Sequence, residues 1–520
     1  MRIAMKAMCL LAMAGFALGF SQPLAADSLT VKTEQGKIHG KTINNGKVNA
    51  FVGLPYAAPP TGDLRWKAPQ PPANWKGVRE ANQYGARCIP SGASPDMAFL
   101  DSGPSEDCLY LNVYAPADAN AKSKLPIMVW IHGGGFMAGA GGEPRHNGDF
   151  LPLKGVLLVT FNYRLAVFGF LATSELAQEA NGTAGNYGFM DMIAALKWVK
   201  ANAGQFGGDP ENVTIFGESA GSFAVSTLVA SPMAKGLFQK AIGESGAAFG
   251  GSLAYDPLDV REKKDSEWAA SLGVKSLAEL RALPADKIHD ESLKRGMFAF
   301  PPNIDGKVLV EPVPDTYAAG RQAHVPLLAG WNADEGVIRV KDPVTAAQWK
   351  ETAAKLYEAR AAEFLTLYPA DTDAQATRSA IDYYGDSFIG FSTWKWLEAQ
   401  AKTGESPVYR YHFELAAPSS KYFKGVYAFH ADDIEYVFGT LDTRPESAWR
   451  PEDRKVSELF MSYWTNFAKT GDPNGPGLPP WPRYDKDGTL LHLNSTVTSG
   501  PDAVRPRYEF LLKGMPAFRF

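Results

Sequence analysis

Asn212-Val-Thr-Ile-Phe-Gly-Glu-Ser-Ala-Gly-Ser-Phe-Ala-Val-Ser-Thr-Leu-Val-Ala230 decides how the rest of the chain is read. Val213-Thr-Ile-Phe216 has the β-branched and aromatic composition of a buried strand. Ser222 to Ala230 carries helix formers on a largely apolar face. Between them stands Gly217-Glu-Ser219-Ala-Gly221, a G-x-S-x-G pattern. A serine on a sharp strand-to-helix turn needs small residues two places either side, because the backbone there runs close to its neighbours. Such a turn lifts the hydroxyl out at the top of a sheet, ahead of a helix N-terminus. Ser219 is therefore the candidate nucleophile, and a structural turn serine is the competing reading.

Outward from this stretch, Leu125-Pro-Ile-Met-Val-Trp-Ile131 and Val156-Leu-Leu-Val-Thr-Phe161 are continuous apolar runs. Gly188 to Lys200 is amphipathic at helical spacing, and short strands are expected near Ala241, Val325–Ala329, Pro407–Leu415 and Leu490–Leu493. Strands too continuously apolar for one-sided burial, alternating with helices, predict an α/β fold with a large, mostly parallel central sheet covered by helices on both faces. Residues 28–60 read as antiparallel hairpins. Segments 250–320 and 344–402 read as helical insertions over the top of the sheet, and Phe298 and Phe300 are pocket or core aromatics. With no repeat, low-complexity tract or long linker, residues 27–520 are expected to form one domain.

Composition narrows the function. Of 520 residues 21 % are charged and the net charge is −4. No basic patch or arm stands out, which excludes a polyanion such as nucleic acid as partner. Arg2 and Lys6, the apolar run Cys9–Phe20 and the small-residue exit Pro23-Leu-Ala-Ala26 read as a signal peptide over residues 1–26. No other run would span a bilayer, so a secreted or periplasmic protein without a membrane anchor is expected. The two remaining cysteines, Cys88 and Cys108, then read as a disulfide.

A serine nucleophile needs a base, an acid and donors for an oxyanion. In the chain order of α/β-hydrolases the acid and then the base follow the serine. His412 and His492 lie within strands, whereas His430, in Ala428-Phe-His-Ala-Asp-Asp-Ile434, has the loop setting from which a base reaches Ser219. Gly330-Trp-Asn-Ala-Asp-Glu-Gly336 supplies two candidate acids, Asp334 and Glu335. Neighbouring residues point different ways, so only one can serve, and spacing does not choose. Asp305 is a weaker third candidate, more plausibly a turn residue. His132-Gly-Gly-Gly135 fits an oxyanion hole, with the amides of Gly134, Gly135 and Ala220 as donors. It lacks the Lys-Ser/Thr of a phosphate loop. Gly243-Glu-Ser-Gly246 is a decoy that misses the pattern, and Ser245 reads as a buried hydrogen-bonding residue near the site.

The chain resembles the type B carboxylesterases, the family of cholinesterases and para-nitrobenzyl esterases. The likeness rests on Gly53-Leu-Pro-Tyr-Ala-Ala-Pro-Pro60 with Leu64-Arg-Trp66, on Glu106-Asp-Cys-Leu-Tyr-Leu-Asn-Val-Tyr114, and on Phe206-Gly-Gly-Asp-Pro210 leading into Phe216-Gly-Glu-Ser-Ala-Gly-Ser222. The resemblance implies an α/β-hydrolase fold and a serine carboxylesterase acting on a small-molecule ester, with no cofactor or metal. It implies that the acid is Glu335 and the base His430, that Cys88 pairs with Cys108, and that Arg65 and Glu106 form a salt bridge. Members that serve as binding proteins lack the serine or histidine, and both are present here. Amides and carbamates are neighbouring substrates for the same machinery. Substrate identity and oligomeric state are not legible.

Overall fold

Each continuous apolar run becomes a strand whose side chains alternate between two cores. In the computed structural model, Ile127, Val129 and Ile131 enter one buried cluster while Met128 and Trp130 enter the other. Val213 and Ile215 likewise face the first, and Phe216 the second. Burial on both faces is why these strands carry no polar alternation. The structure describes residues 29–516, except 91, 93–95, 251–253, 419–426 and 485–487. The expected signal peptide lies outside the described residues.

The large sheet has eleven strands. In chain order they are β1 (Lys41–Ile43), β2 (Val48–Pro55), β3 (Tyr110–Pro116), β4 (Leu125–Ile131), β5 (Leu157–Phe161), β6 (Gly208–Glu218), β7 (Lys240–Glu244), β8 (Leu327–Asn332), β9 (Val408–Phe413), β10 (Leu490–Leu493) and β11 (Thr498–Gly500). Across the sheet the order is β11-β10-β9-β8-β7-β6-β4-β5-β3-β2-β1. From β10 to β5 every neighbour is parallel. Antiparallel pairs close both margins, including the hairpin of β1 and β2 expected from residues 28–60. The chain crosses outward in both directions from β4 and β6, so the carboxyl ends of these central strands form the crevice where an open α/β sheet binds ligands.

Helices cover both faces. On the first lie α1 (Tyr187–Asn202), α2 (Ala220–Ala230), α3 (Asp373–Gly385) and α4 (Phe391–Thr403), and on the second α5 (Ile434–Phe438) and α6 (Pro451–Thr470). Every residue of α2 is buried: its sequence is largely apolar, and the hydroxyls of Ser222, Ser226 and Thr227 donate to backbone carbonyls. Pro451 at the first turn and left-handed Gly471 past the last turn bound α6. Residues 258–318 form short helices, as expected of an insertion, plus the strand pair Asp256–Pro257 with Asn303–Ile304.

Cys88 and Cys108 are disulfide-bonded across a sequence separation of 20. Arg65 reinforces the same region. Its Nε and Nη2 donate to Glu106 at 2.6 and 2.5 Å, and Nη1 donates to the carbonyls of Arg281 and Leu283 at 2.7 Å. Closing a loop of this size removes unfolded-state entropy worth about 3 kcal/mol. The Cys88→Ser/Cys108→Ser variant is expected to lose about that much stability, read as a lowered urea midpoint at unchanged slope.

Candidate active site

Strand β6 ends at Glu218, and the backbone turns sharply into α2 at Ser219, whose φ of 53° and ψ of −122° lie where an L-residue is strained. The glycines around it are dictated by packing. A Cβ on Gly221 would sit 1.9 Å from the carbonyl oxygen of Ile131, and one on Gly217 2.5 Å from the same atom. The Ser219 amide donates to the Glu244 carbonyl at 2.9 Å, tying the turn to β7. Its side chain is held up at the floor of a cleft of about 260 Å³.

His430 comes from the loop after β9 and Glu335 from the turn after β8. His430 Nε2 lies 2.8 Å from Ser219 Oγ, and Nδ1 lies 2.6 Å from Glu335 Oε2. The other Glu335 oxygen accepts from Ser245 Oγ at 2.6 Å and from the Asn332 amide at 3.0 Å. The carboxylate is thus buried and held on both oxygens. The structure brings Ser219, His430 and Glu335 together. Asp334 turns away, pairing with Arg378 and accepting from the Ala428 amide at 2.9 Å. Asp305 accepts from Thr183 and from the amides of Lys307 and Leu309, as a turn residue does.

Gly134 and Gly135 adopt positive φ, 99° and 67°, in the turn after β4, and both line the cleft beside Ser219. Among the described residues neither amide donates to the protein backbone. Ala220 is the first residue of α2, where the amide has no intrahelical acceptor. The loop is fixed by His132, whose ring stacks on Tyr163 at 4.3 Å while Tyr163 Oη donates to the His132 carbonyl at 2.9 Å. Burial pushes His132 down to about 4, so it is neutral here.

The ionisable carboxyl next to the serine, Glu218, went unmarked in the sequence. Glu218 Oε1 lies 3.3 Å from His430 Nε2, and burial raises its carboxyl to about 8 against the lowering pull of His430. The signal was present in the motif letter before Ser219, but only the fold turns that side chain toward the histidine. Burial would lower His430, yet the charges of Glu218 and then Glu335 outweigh it and raise it to about 9. Phe388, Phe298, Phe429, Met97, Met297 and Ile338 give the cleft its apolar walls. Of the two aromatics singled out in the sequence, Phe298 lines the cleft, whereas Phe300 packs on Trp268 at 5.0 Å.

Comparison with known proteins decides the family. The family model described as "Carboxylesterase family" matches residues 27–510. The chain belongs to the carboxylesterase family. The para-nitrobenzyl esterase of Bacillus subtilis (strain 168) is 36 % identical over 508 residues, spanning 93 % of this chain and 99 % of that protein. The fumonisin B1 esterase of Sphingopyxis macrogoltabida is 34 % identical over 497 residues, 92 % and 89 % of the two chains. Among solved structures, a Geobacillus stearothermophilus carboxylesterase superposes with a TM-score of 0.80 at 31 % identity, covering 92 % of this chain and 99 % of its own. A PNB esterase gives 0.77 at 34 % identity, covering 93 % and 100 %. This carboxylesterase therefore has the α/β-hydrolase fold and is a hydrolase of carboxylic esters, with small-molecule esters as substrates. No described helix is long and apolar enough to cross a membrane.

Proposed function

We propose that this carboxylesterase works through an acyl-enzyme on Ser219, with His430 as general base and acid, Glu335 as the orienting carboxylate, and the amides of Gly134, Gly135 and Ala220 as the oxyanion hole. The observation that carries this is the unbroken chain Ser219 Oγ, His430 Nε2, His430 Nδ1, Glu335 Oε2 at 2.8 and 2.6 Å, opening on the cleft. His430 takes the serine proton as Oγ attacks the ester carbonyl. The carbonyl oxygen gains charge beside amides that make no backbone hydrogen bond among the described residues, so the stabilisation needs no reorganisation. Collapse expels the alcohol, protonated by His430, and water activated by the same imidazole releases the acid. Glu335 accepts from Nδ1–H throughout and stabilises the imidazolium.

The cleft favours small acyl groups. At about 260 Å³ it is below the range of about 300–1,000 Å³ typical of drug-sized ligands, and its walls are apolar. In a p-nitrophenyl ester series, kcat/KM is expected to peak at short acyl chains and fall steeply toward palmitate. A flat or rising profile would contradict this assignment of the cleft.

The pH profile follows from the histidine. His430 must be neutral to accept the proton, so activity is lost as pH falls through its pKa. With that pKa raised to about 9, the acid limb of kcat/KM is expected well above the ordinary imidazole range. Glu218→Gln removes a charge 3.3 Å away and is expected to move the limb down by about one unit or more. An unmoved limb would show that Glu218 does not act on the base.

We further infer that residues 27–520 are exported as one unit after removal of residues 1–26. Supporting this are the family match over 27–510, a single sheet drawing strands from residue 41 to residue 500, and a disulfide suited to an oxidising compartment.

A further inference from the structure

Far from Ser219 in sequence, the C-terminal margin of the sheet assembles two imidazoles and a carboxylate. His412 on β9 and His492 on β10 are direct register partners, so their side chains leave the same face of the sheet. Glu414 follows His412 by two residues and stays on that face. Its amide donates to the Leu493 carbonyl at 2.8 Å, extending the ladder one residue past β9. His412 Nδ1 lies 2.9 Å and His492 Nδ1 2.6 Å from the same oxygen, Glu414 Oε1. Among the described residues this is the one group of three His, Cys, Asp or Glu side chains whose ligand atoms all lie within 4.8 Å of one another. We propose that His412, Glu414 and His492 form a binding site for one divalent first-row transition cation, zinc foremost, stapling β9 to β10.

The donor set suits that class of ion. Two imidazole nitrogens and one carboxylate oxygen are ligands of intermediate softness, which favour zinc over calcium or magnesium. Tetrahedral zinc with bonds of about 2.0–2.1 Å sets its ligands about 3.3 Å apart. The present spacings of 2.6 and 2.9 Å are those of a closed, hydrogen-bonded triad that opens by about half an ångström on loading. All three side chains are about one-quarter exposed, which leaves room for that movement and for water as fourth ligand. On loading, each neutral imidazole becomes its Nε2–H tautomer, the Nδ1 proton passing to Nε2 through solvent, so two N–H···O bonds give way to two N–metal bonds and one O–metal bond with no net proton released. The staple crosses the shortest parallel pairing of the sheet, three registered residues long, where strand association has least support.

The test is equilibrium dialysis of the full chain, prepared without a histidine tag, against micromolar zinc chloride, with bound metal measured by mass spectrometry. About one zinc per chain is expected. His412→Ala/His492→Ala should weaken binding by more than about 100-fold, beyond the 10- to 100-fold typical of losing an outer-shell partner. Glu414→Gln keeps the shape and hydrogen-bonding capacity of the side chain and should also weaken binding. Ester turnover at wild-type rate in each variant shows that it is folded. No stoichiometric zinc on the wild-type chain would overturn the proposal, leaving the triad as an ion-pair network only. So would undiminished binding in both the double variant and Glu414→Gln.

Discussion

Ser219→Ala is expected to lower kcat toward p-nitrophenyl butyrate by about 10⁶-fold, with KM nearly unchanged. The variant removes the atom that forms the acyl bond and leaves the cleft walls in place. The substitution also deprives His430 of its serine partner, so the base has nothing to activate but water. Residual rate enhancement should come from the amides of Gly134, Gly135 and Ala220. Because the serine and histidine act as a unit, His430→Ala should cost about as much, and the double variant scarcely more than either. Costs that simply added on a logarithmic scale would mean that the two side chains act independently, contrary to their 2.8 Å contact.

Glu335→Gln should lower kcat by about 10⁴-fold, through the tautomer of His430. Both groups that reach Oε1, the Ser245 hydroxyl and the Asn332 amide, are donors at 2.6 and 3.0 Å. A glutamine at this position is therefore held with its carbonyl oxygen toward them and its NH₂ toward His430. Facing that donor, Nδ1 becomes an acceptor and the imidazole proton moves to Nε2. Nε2 then donates to Ser219 instead of accepting from it. The geometry survives while the base is disabled, so the Tm should change far less than the rate. A loss of only a fewfold would show that Glu335 neither fixes the tautomer nor stabilises the imidazolium.

Much of this arrangement was legible in the chain because its causes are local. The run Val213–Phe216 is apolar on both faces because both faces are covered, and Gly217 and Gly221 flank Ser219 because the Ile131 carbonyl leaves no room for a Cβ. His430 could be separated from His412 and His492 by its loop setting, and those two prove to share Glu414 at the sheet margin. Asp334 and Glu335 could not be separated by spacing. Their difference lies in partners remote in sequence: Arg378 and the Ala428 amide hold one, while Ser245 and His430 hold the other. The influence of Glu218 on His430 was equally hidden, since a side chain just before the serine could point to either face of the strand. The cleft walls were the least legible. Met97, Phe298, Ile338 and Phe388 come from four separate segments, and nothing local marks Phe298 as lining and Phe300 as core.

The most direct test of Ser219 as the acyl-forming nucleophile is covalent labelling with diethyl p-nitrophenyl phosphate, followed by intact-mass and peptide mass spectrometry. The phosphorus takes the place of the ester carbonyl carbon, and the adduct stalls where the acyl-enzyme would hydrolyse. One diethylphosphoryl group per chain is predicted, on the peptide containing Ser219, with one equivalent of p-nitrophenol released and no ester turnover afterwards. Labelling elsewhere with turnover lost, or ester turnover by Ser219→Ala at a rate near wild type, would contradict it.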